Sequence, residues 1–214
     1  MKKAVVIGGT GMVGVQLIKL LIETDEFLEI VSLVRRSSGV KHSKLNEHII
    51  DFDKPETWSQ WVTGDVLFST LGTTLAKAKS KDNQYRIDFE YQYVTAQIAA
   101  TNGITNYVLV SSAGASSKST IFYSQMKGKL EDAVSLLPFK TISILRPGQL
   151  DGERTEKRAG EKAGLSVMYF LNKIGLFKRY RPIQAEQVAR AMINAARKTE
   201  SASYTLDEVH KLAK

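Results

Sequence analysis

Short apolar runs alternate with amphipathic stretches along most of the chain. The run 4–7 is too brief for a helix and rich in β-branched residues, so it predicts a buried strand. Beyond the glycines that follow, Val13, Leu17, Leu20 and Leu21 recur at helical spacing and predict a helix over 11–24 with one apolar face. The alternation then repeats. Strands are predicted at 29–34, 48–51, 66–69, 107–110 and 141–145, with an edge strand at 203–206. Helices are predicted over 82–101, 120–137, 165–174 and 184–198. Ile87, Tyr91, Val94 and Ile98 form the expected buried stripe of the first of these, and Val188, Met192 and Ile193 that of the last. A shorter helix is expected to hold Trp58 and Trp61, and Asp53 either caps it from a plain loop or serves a ligand contact. Residues 40–46 read as a loop, and 151–164, charged and glycine-containing, as a mobile segment. Strand and helix alternating six or seven times predict an α/β fold, a doubly wound parallel sheet covered on both faces.

Length changes this picture little: 214 residues suit one domain, expected as a core over 1–150 and a small substrate-side part over 151–214. Composition excludes more. With no cysteine, disulfides, thiolate catalysis and cysteine zinc sites are out. His42, His48 and His210 form no ligand spacing, so no metal is expected. No apolar run is long enough to span a membrane, and the first strand leaves no room for a signal peptide, so the expected location is cytoplasmic. The formal net charge is +8, and residues 140–181 hold ten Lys/Arg against four Asp/Glu. That region reads as a solvated basic face or as an attractor for an anionic cofactor, substrate or partner; nucleic acid is disfavoured, because aromatic residues do not interleave with the charges.

The candidate chemistry starts at the first strand–helix junction. Gly8-Gly9-Thr10-Gly11-Met12-Val13-Gly14 has the spacing of a dinucleotide-binding turn, with glycines for the sharp turn, the approach of a pyrophosphate and close helix packing. The helix N-terminus behind it favours phosphate. A P-loop is excluded, since Val15-Gln16 follows Gly14 where Lys-Ser/Thr is needed. This makes the expected sheet Rossmann-type. Strand two ends in Arg35-Arg36-Ser37-Ser38, where an NAD-preferring turn would place a carboxylate for the ribose 2′-OH. Arg35 would instead bind a 2′-phosphate, with Ser37 and Ser38 as further donors, so NADP(H) is expected over NAD(H); the plainer alternative is a loop with two surface arginines. After strand three, Asp51 or Asp53 could accept from an adenine amino group and Phe52 could stack nearby, or the stretch is a plain loop. Leu71-Gly72 after strand four lies at the carboxyl edge of the sheet, where ligands bind in such folds.

Tyr123-x-x-x-Lys127 places a phenol and an ammonium one turn apart on one helix face, the pairing that makes a tyrosine usable as an acid or base near neutrality. Ser112, or Ser111, at the preceding strand end can hold a substrate oxygen.

With these motifs and Arg146-Pro147-Gly148, the chain resembles an atypical or extended short-chain dehydrogenase/reductase. Through Leu71-Gly72-Thr73-Thr74, Ser111-Ser112-Ala113-Gly114-Ala115 and Tyr123-Ser124-Gln125-Met126-Lys127-Gly128, it is similar to the Tat-interacting-protein oxidoreductase-like branch. The resemblance implies Tyr123 as proton donor or acceptor, Lys127 as its modulator and nicotinamide-ribose ligand, and Ser112 as the group orienting the substrate carbonyl. It implies Gly8, Thr10, Gly11, Met12 and Val13 at the pyrophosphate, Arg35 at the 2′-phosphate, Leu71 and Gly72 along the ribose and nicotinamide, and Pro147 and Gly148 beside the carboxamide. One departure stands out: Arg86-Ile87-Asp88 occupies the stretch where many family members carry an asparagine for a proton-relay water. The short tail favours a small carbonyl or alcohol substrate over a nucleotide sugar. The expected function is an NADP(H)-dependent oxidoreductase; the alternative is an NADPH-binding regulatory protein with little turnover. Helices flanking strands four and five could pair two subunits.

Overall fold

The computed structural model describes residues 2–151 and 182–214. Its main sheet has seven strands in the order β3-β2-β1-β4-β5-β6-β9, and every neighbouring pair is parallel. These are β1 (Lys2–Ile7), β2 (Phe27–Val34), β3 (Leu45–Ile49), β4 (Val66–Ser69), β5 (Asn106–Val110), β6 (Thr141–Arg146) and β9 (Ala202–Thr205). A two-stranded parallel pair, β7 (Leu150–Asp151) with β8 (Ile183–Gln184), stands apart. The strand order reverses between β1 and β4, which places a crevice at their carboxyl ends.

Alternation along β1 decides which layer each side chain joins. Ala4 and Val6 pack with Val13, Leu17 and Leu21 of α1 (Met12–Glu23) and with Val188 and Met192 of α6 (Ala185–Ala195). Val5 and Ile7 face the opposite layer, with Trp58, with Ala96 and Ala99 of α4 (Tyr91–Thr101), and with Leu130 and Val134 of α5 (Phe122–Ser135). All of these are buried, so the expected two-sided Rossmann-type sheet is the observed one. Residues 202–205 complete the main sheet as its edge strand, so part of the expected substrate-side region belongs to the core, and α7 (Asp207–Leu212) follows it.

Three elements differ from the sequence expectation. Strand three is Leu45–Ile49, not 48–51, because its register on β2 (Ile30 opposite Leu45, Val34 opposite Ile49) starts the pairing inside the expected loop. It is an edge strand with little buried apolar surface, so it carries a weak hydrophobic signature. The Trp58 and Trp61 region forms two 3-10 turns, Pro55–Thr57 and Ser59–Trp61, and Lys54 rather than Asp53 precedes the first. The long helix after β4 is divided into α2 (Leu75–Ala78), α3 (Lys81–Tyr85), a π-turn (Arg86–Glu90) and α4. Its fully buried positions are Gln84, Asp88, Gln92, Thr95, Ala96 and Ala99, whereas Ile87, Tyr91, Val94 and Ile98 are only partly buried. The polar stripe faces the end of β4, where it has partners: the Ser69 hydroxyl donates to Gln92 Oε1 (2.7 Å), and Gln92 Nε2 donates to the Asp88 carbonyl (2.6 Å). The expected helix over 165–174, and nearly all of the expected mobile segment, lie outside the described residues.

Candidate active site at the carboxyl edge of the sheet

The glycine turn is built as its spacing requires. Gly8 sits at φ +81°, and a Cβ there would stand 2.5 Å from the Leu71 nitrogen. A Cβ on Gly14 would overlap the Gly8 carbonyl, so the first turn of α1 can press against the strand end only with glycine at that position. No side chain caps α1 at Gly11, and no carboxylate stands in its first turn. Thr10, Gly11, Met12 and Val13 therefore line a cradle suited to a pyrophosphate.

Register brings the other strand ends to the same crest. Thr70 N–H donates to the Ile7 carbonyl (3.0 Å), which sets Leu71 and Gly72 beside Gly8. Ser111 N–H donates to the Leu145 carbonyl (2.7 Å) and Ala113 N–H to the Pro147 carbonyl (2.9 Å), which sets Ser112 beside Pro147 and Gly148. Here Ser112, Ala113, Gly114, Arg146, Pro147, Gly148 and Leu206 line a cavity of about 590 Å³. Ser112 borders it, while Ser111 is buried with its hydroxyl unpartnered among the described residues. Leu206 holds φ +46°, a strained conformation for a branched side chain, and its N–H bonds the Arg146 carbonyl.

Helix α5 supplies the titratable pair. Tyr123 is partly exposed and Lys127, one turn on, is buried with 3 % exposure. The Lys127 ammonium lies 3.3 Å from Oδ1 of Asp88, which is 1 % exposed. Burial pushes the Asp88 carboxyl up, against the pull of the Lys127 charge and the Thr73 N–H. One turn further along α5, Glu131 accepts from Arg146.

The residues expected on the adenine side are only partly free to bind. Arg35 directly follows β2 and is exposed. The Ser37 hydroxyl (2.7 Å) and the Ser38 N–H (3.0 Å) donate to Glu47 of β3, so they are not the spare donors the sequence suggested. A carboxylate thus stands beside this loop; only the pairing of β3 with β2 places it there, and nothing in the local sequence signals it. Phe52 is buried, stacked on Tyr91 (5.1 Å between centroids) and edge-on to Trp58, and not open for adenine stacking. Asp51 Oδ1 accepts from Asp53 N–H (3.1 Å). Asp53 accepts from the Tyr91 hydroxyl (2.8 Å) and pairs with Arg86, so it is a tie between segments and not a helix cap. Arg36, Ser37 and Ser38 also border a groove of about 450 Å³ along α1.

Among solved structures, the fold is similar to that of the Bordetella bronchiseptica enzyme WbmH in complex with NAD+, with a TM-score of 0.71 at 15% identity over 96% of this chain and 75% of that one. It is also similar to a Thermotoga maritima UDP-glucose 4-epimerase with UDP-glucose, with a TM-score of 0.69 at 15% identity over 99% and 81%. At such identity these likenesses show the Rossmann-like fold alone. Curated relatives are closer in sequence. "Protein FMP52-1, mitochondrial" of Scheffersomyces stipitis is 35% identical over 92% of this chain and 88% of its own length. "Protein FMP52, mitochondrial" of Saccharomyces cerevisiae is 34% identical over 91% and 87%. These names overturn the expected cytoplasmic location, which rested on the lack of a membrane-length apolar run and of a secretory signal, and neither of those distinguishes cytoplasm from mitochondrion. A family model described as HIM1 matches residues 44–181. Neither name matches the Tat-interacting-protein-like branch. On the match of the HIM1 model to more than half of its length the chain belongs to the HIM1 family, and the FMP52 proteins are its relatives in sequence.

Proposed function

We propose that the protein is an NADP(H)-dependent oxidoreductase acting on a small carbonyl or alcohol, functionally akin to the Tat-interacting-protein-like reductases. The observation that carries this reading is the placement of Ser112 on the cavity at the strand ends, on the same crest as the glycine turn, together with Tyr123 and Lys127 on α5. The turn fits a dinucleotide on its own geometry, since α1 is uncapped and a Cβ at Gly14 has no room. Gly8, Thr10, Gly11, Met12 and Val13 would hold the pyrophosphate, and Arg35 the 2′-phosphate. Leu71 and Gly72 would lie along the ribose and nicotinamide, with Pro147 and Gly148 beside the carboxamide. Asp51 is the remaining side chain of its stretch for the adenine edge. A bound nicotinamide supplies two-electron redox chemistry at that end. Ser112 orients the substrate oxygen, Tyr123 gives or takes its proton, and Lys127 supplies positive charge beneath both. Ser112 is chosen over Ser111 because Ser112 lines the cavity whereas Ser111 is buried.

The test is NADPH oxidation against a panel of small aldehydes and ketones with wild type and Tyr123→Phe. A loss of roughly a hundredfold or more is expected for the variant, and equal rates would remove Tyr123 from the chemistry. Tight NADPH binding without turnover on any substrate would favour a cofactor-binding regulatory protein instead.

A further inference from the structure

Asp88 is a buried carboxylate that the chemistry above does not use. Its Oδ2 accepts from Thr73 N–H at 2.9 Å, in the turn that follows β4. Among the described residues its Oδ1 has no hydrogen-bond partner, yet the Lys127 ammonium stands 3.3 Å away as an ion pair. Gly72 admits it: a Cβ there would lie 3.1 Å from Asp88 Oδ1, so a side chain would crowd the carboxylate against Lys127. Gln84 and Gln92 hold the same stripe in place, Gln92 Nε2 on the Asp88 carbonyl and Gln84 Nε2 reaching the Thr73 carbonyl at 3.4 Å. The π-turn Arg86–Glu90 brings Asp88 inward, and such turns recur at functional positions. A single carboxylate therefore touches both the turn expected along the cofactor and the lysine expected beneath its ribose.

We infer that Asp88 is a positioning residue: it anchors the Lys127 ammonium against the 71–73 turn, so that cofactor-lining backbone and proton-handling helix are held as one unit. This rests on the reading of Lys127 as a cofactor ligand. An asparagine could accept from Thr73 N–H, but it would leave the buried ammonium without a counter-charge, and Lys127 would be drawn out of place. The role belongs to the charge and the length of the side chain together.

The experiment is a double-mutant cycle read by calorimetric titration of the apoprotein with NADPH, using Asp88→Asn, Lys127→Met and the double variant, with thermal melts of each. Asp88→Asn is expected to weaken NADPH binding about tenfold and Lys127→Met by a similar factor. The double variant, which leaves neither charge of this pair behind, should bind no worse than Lys127→Met alone. Asp88→Glu should fail to restore affinity, being one methylene too long for the space under Gly72. Losses that multiply in the double variant, or wild-type affinity in Asp88→Asn, would overturn the inference. NADPH binding with this coupling but no turnover would remove the oxidoreductase reading and leave the inference standing. A wild-type chain that binds neither NADPH nor NADH would remove both.

Discussion

Arg146 grips Glu131 with two nitrogens, Nε at 3.0 Å from Oε1 and Nη2 at 2.5 Å from Oε2. Glu131 is 4 % exposed, and the pair fastens the end of β6, with its Pro147-Gly148 turn, to the helix carrying Tyr123 and Lys127. Removing the carboxylate strands a partly buried guanidinium. Because Arg146 keeps about a third of its surface in water, the cost is set below that of a fully buried pair. Glu131→Ala should lose about 2 kcal/mol, read as a melting temperature about 6 °C lower, and Glu131→Gln should lose less, because its side-chain oxygen can still accept from Arg146.

Gly14 is the least replaceable residue of the first turn, since a Cβ would overlap the Gly8 carbonyl. Gly14→Ala should push α1 off the strand end and weaken NADPH binding by roughly tenfold or more. Titration calorimetry reads this directly, and unchanged affinity would mean that the turn does not carry the pyrophosphate.

On the proposed reading of Arg35, cofactor choice would turn on opposing charges at one loop. Arg35→Ala should weaken NADPH about tenfold and leave NADH unchanged. Glu47 holds Ser37 and Ser38, and those hydrogen bonds hold its carboxyl below the ordinary range although burial opposes them. Glu47→Gln keeps an acceptor for the loop but removes a negative charge, so the ratio of NADH to NADPH dissociation constants should rise. A ratio unmoved by both variants would take the 2′-phosphate away from this loop.

Glu26 pairs with Lys2 at 2.9 Å and Arg197 at 2.8 Å. Burial alone would raise its carboxyl, but the two cations outweigh burial and lower it from 4.5. A depressed folded value means stability fully present above the unfolded value and lost as pH falls through the folded one. Glu26→Gln should therefore be less stable than wild type near neutrality, with the difference shrinking as pH falls below 4.5 and the carboxylate takes up its proton in the folded chain. Urea melts across that range test it, and a difference constant in pH would dismiss the charge as its source.

The amino-acid pattern by itself determined the sheet. Contiguous β-branched runs separated by amphipathic helices bury both faces only in a parallel, doubly wound arrangement, and Val13, Leu17, Val188 and Met192 are buried as their spacing required. The glycine turn was equally legible, because steric exclusion at Gly8 and Gly14 is a local property. The polar connections were decided only by tertiary structure. Glu47 reaches Ser37 and Ser38 through strand pairing, Phe52 is consumed by Tyr91 and Trp58, and Asp88 meets Lys127 across two helices. The buried stripe of the helix after β4 turned to Gln84, Asp88 and Gln92 because the carboxyl end of a strand leaves polar groups that must be paired. Hydrophobic burial repeats with the period of its own element and can be read along a chain. A hydrogen bond or ion pair needs a partner at a distance of a few ångströms, and that partner lies 39 positions away for Asp88 and Lys127.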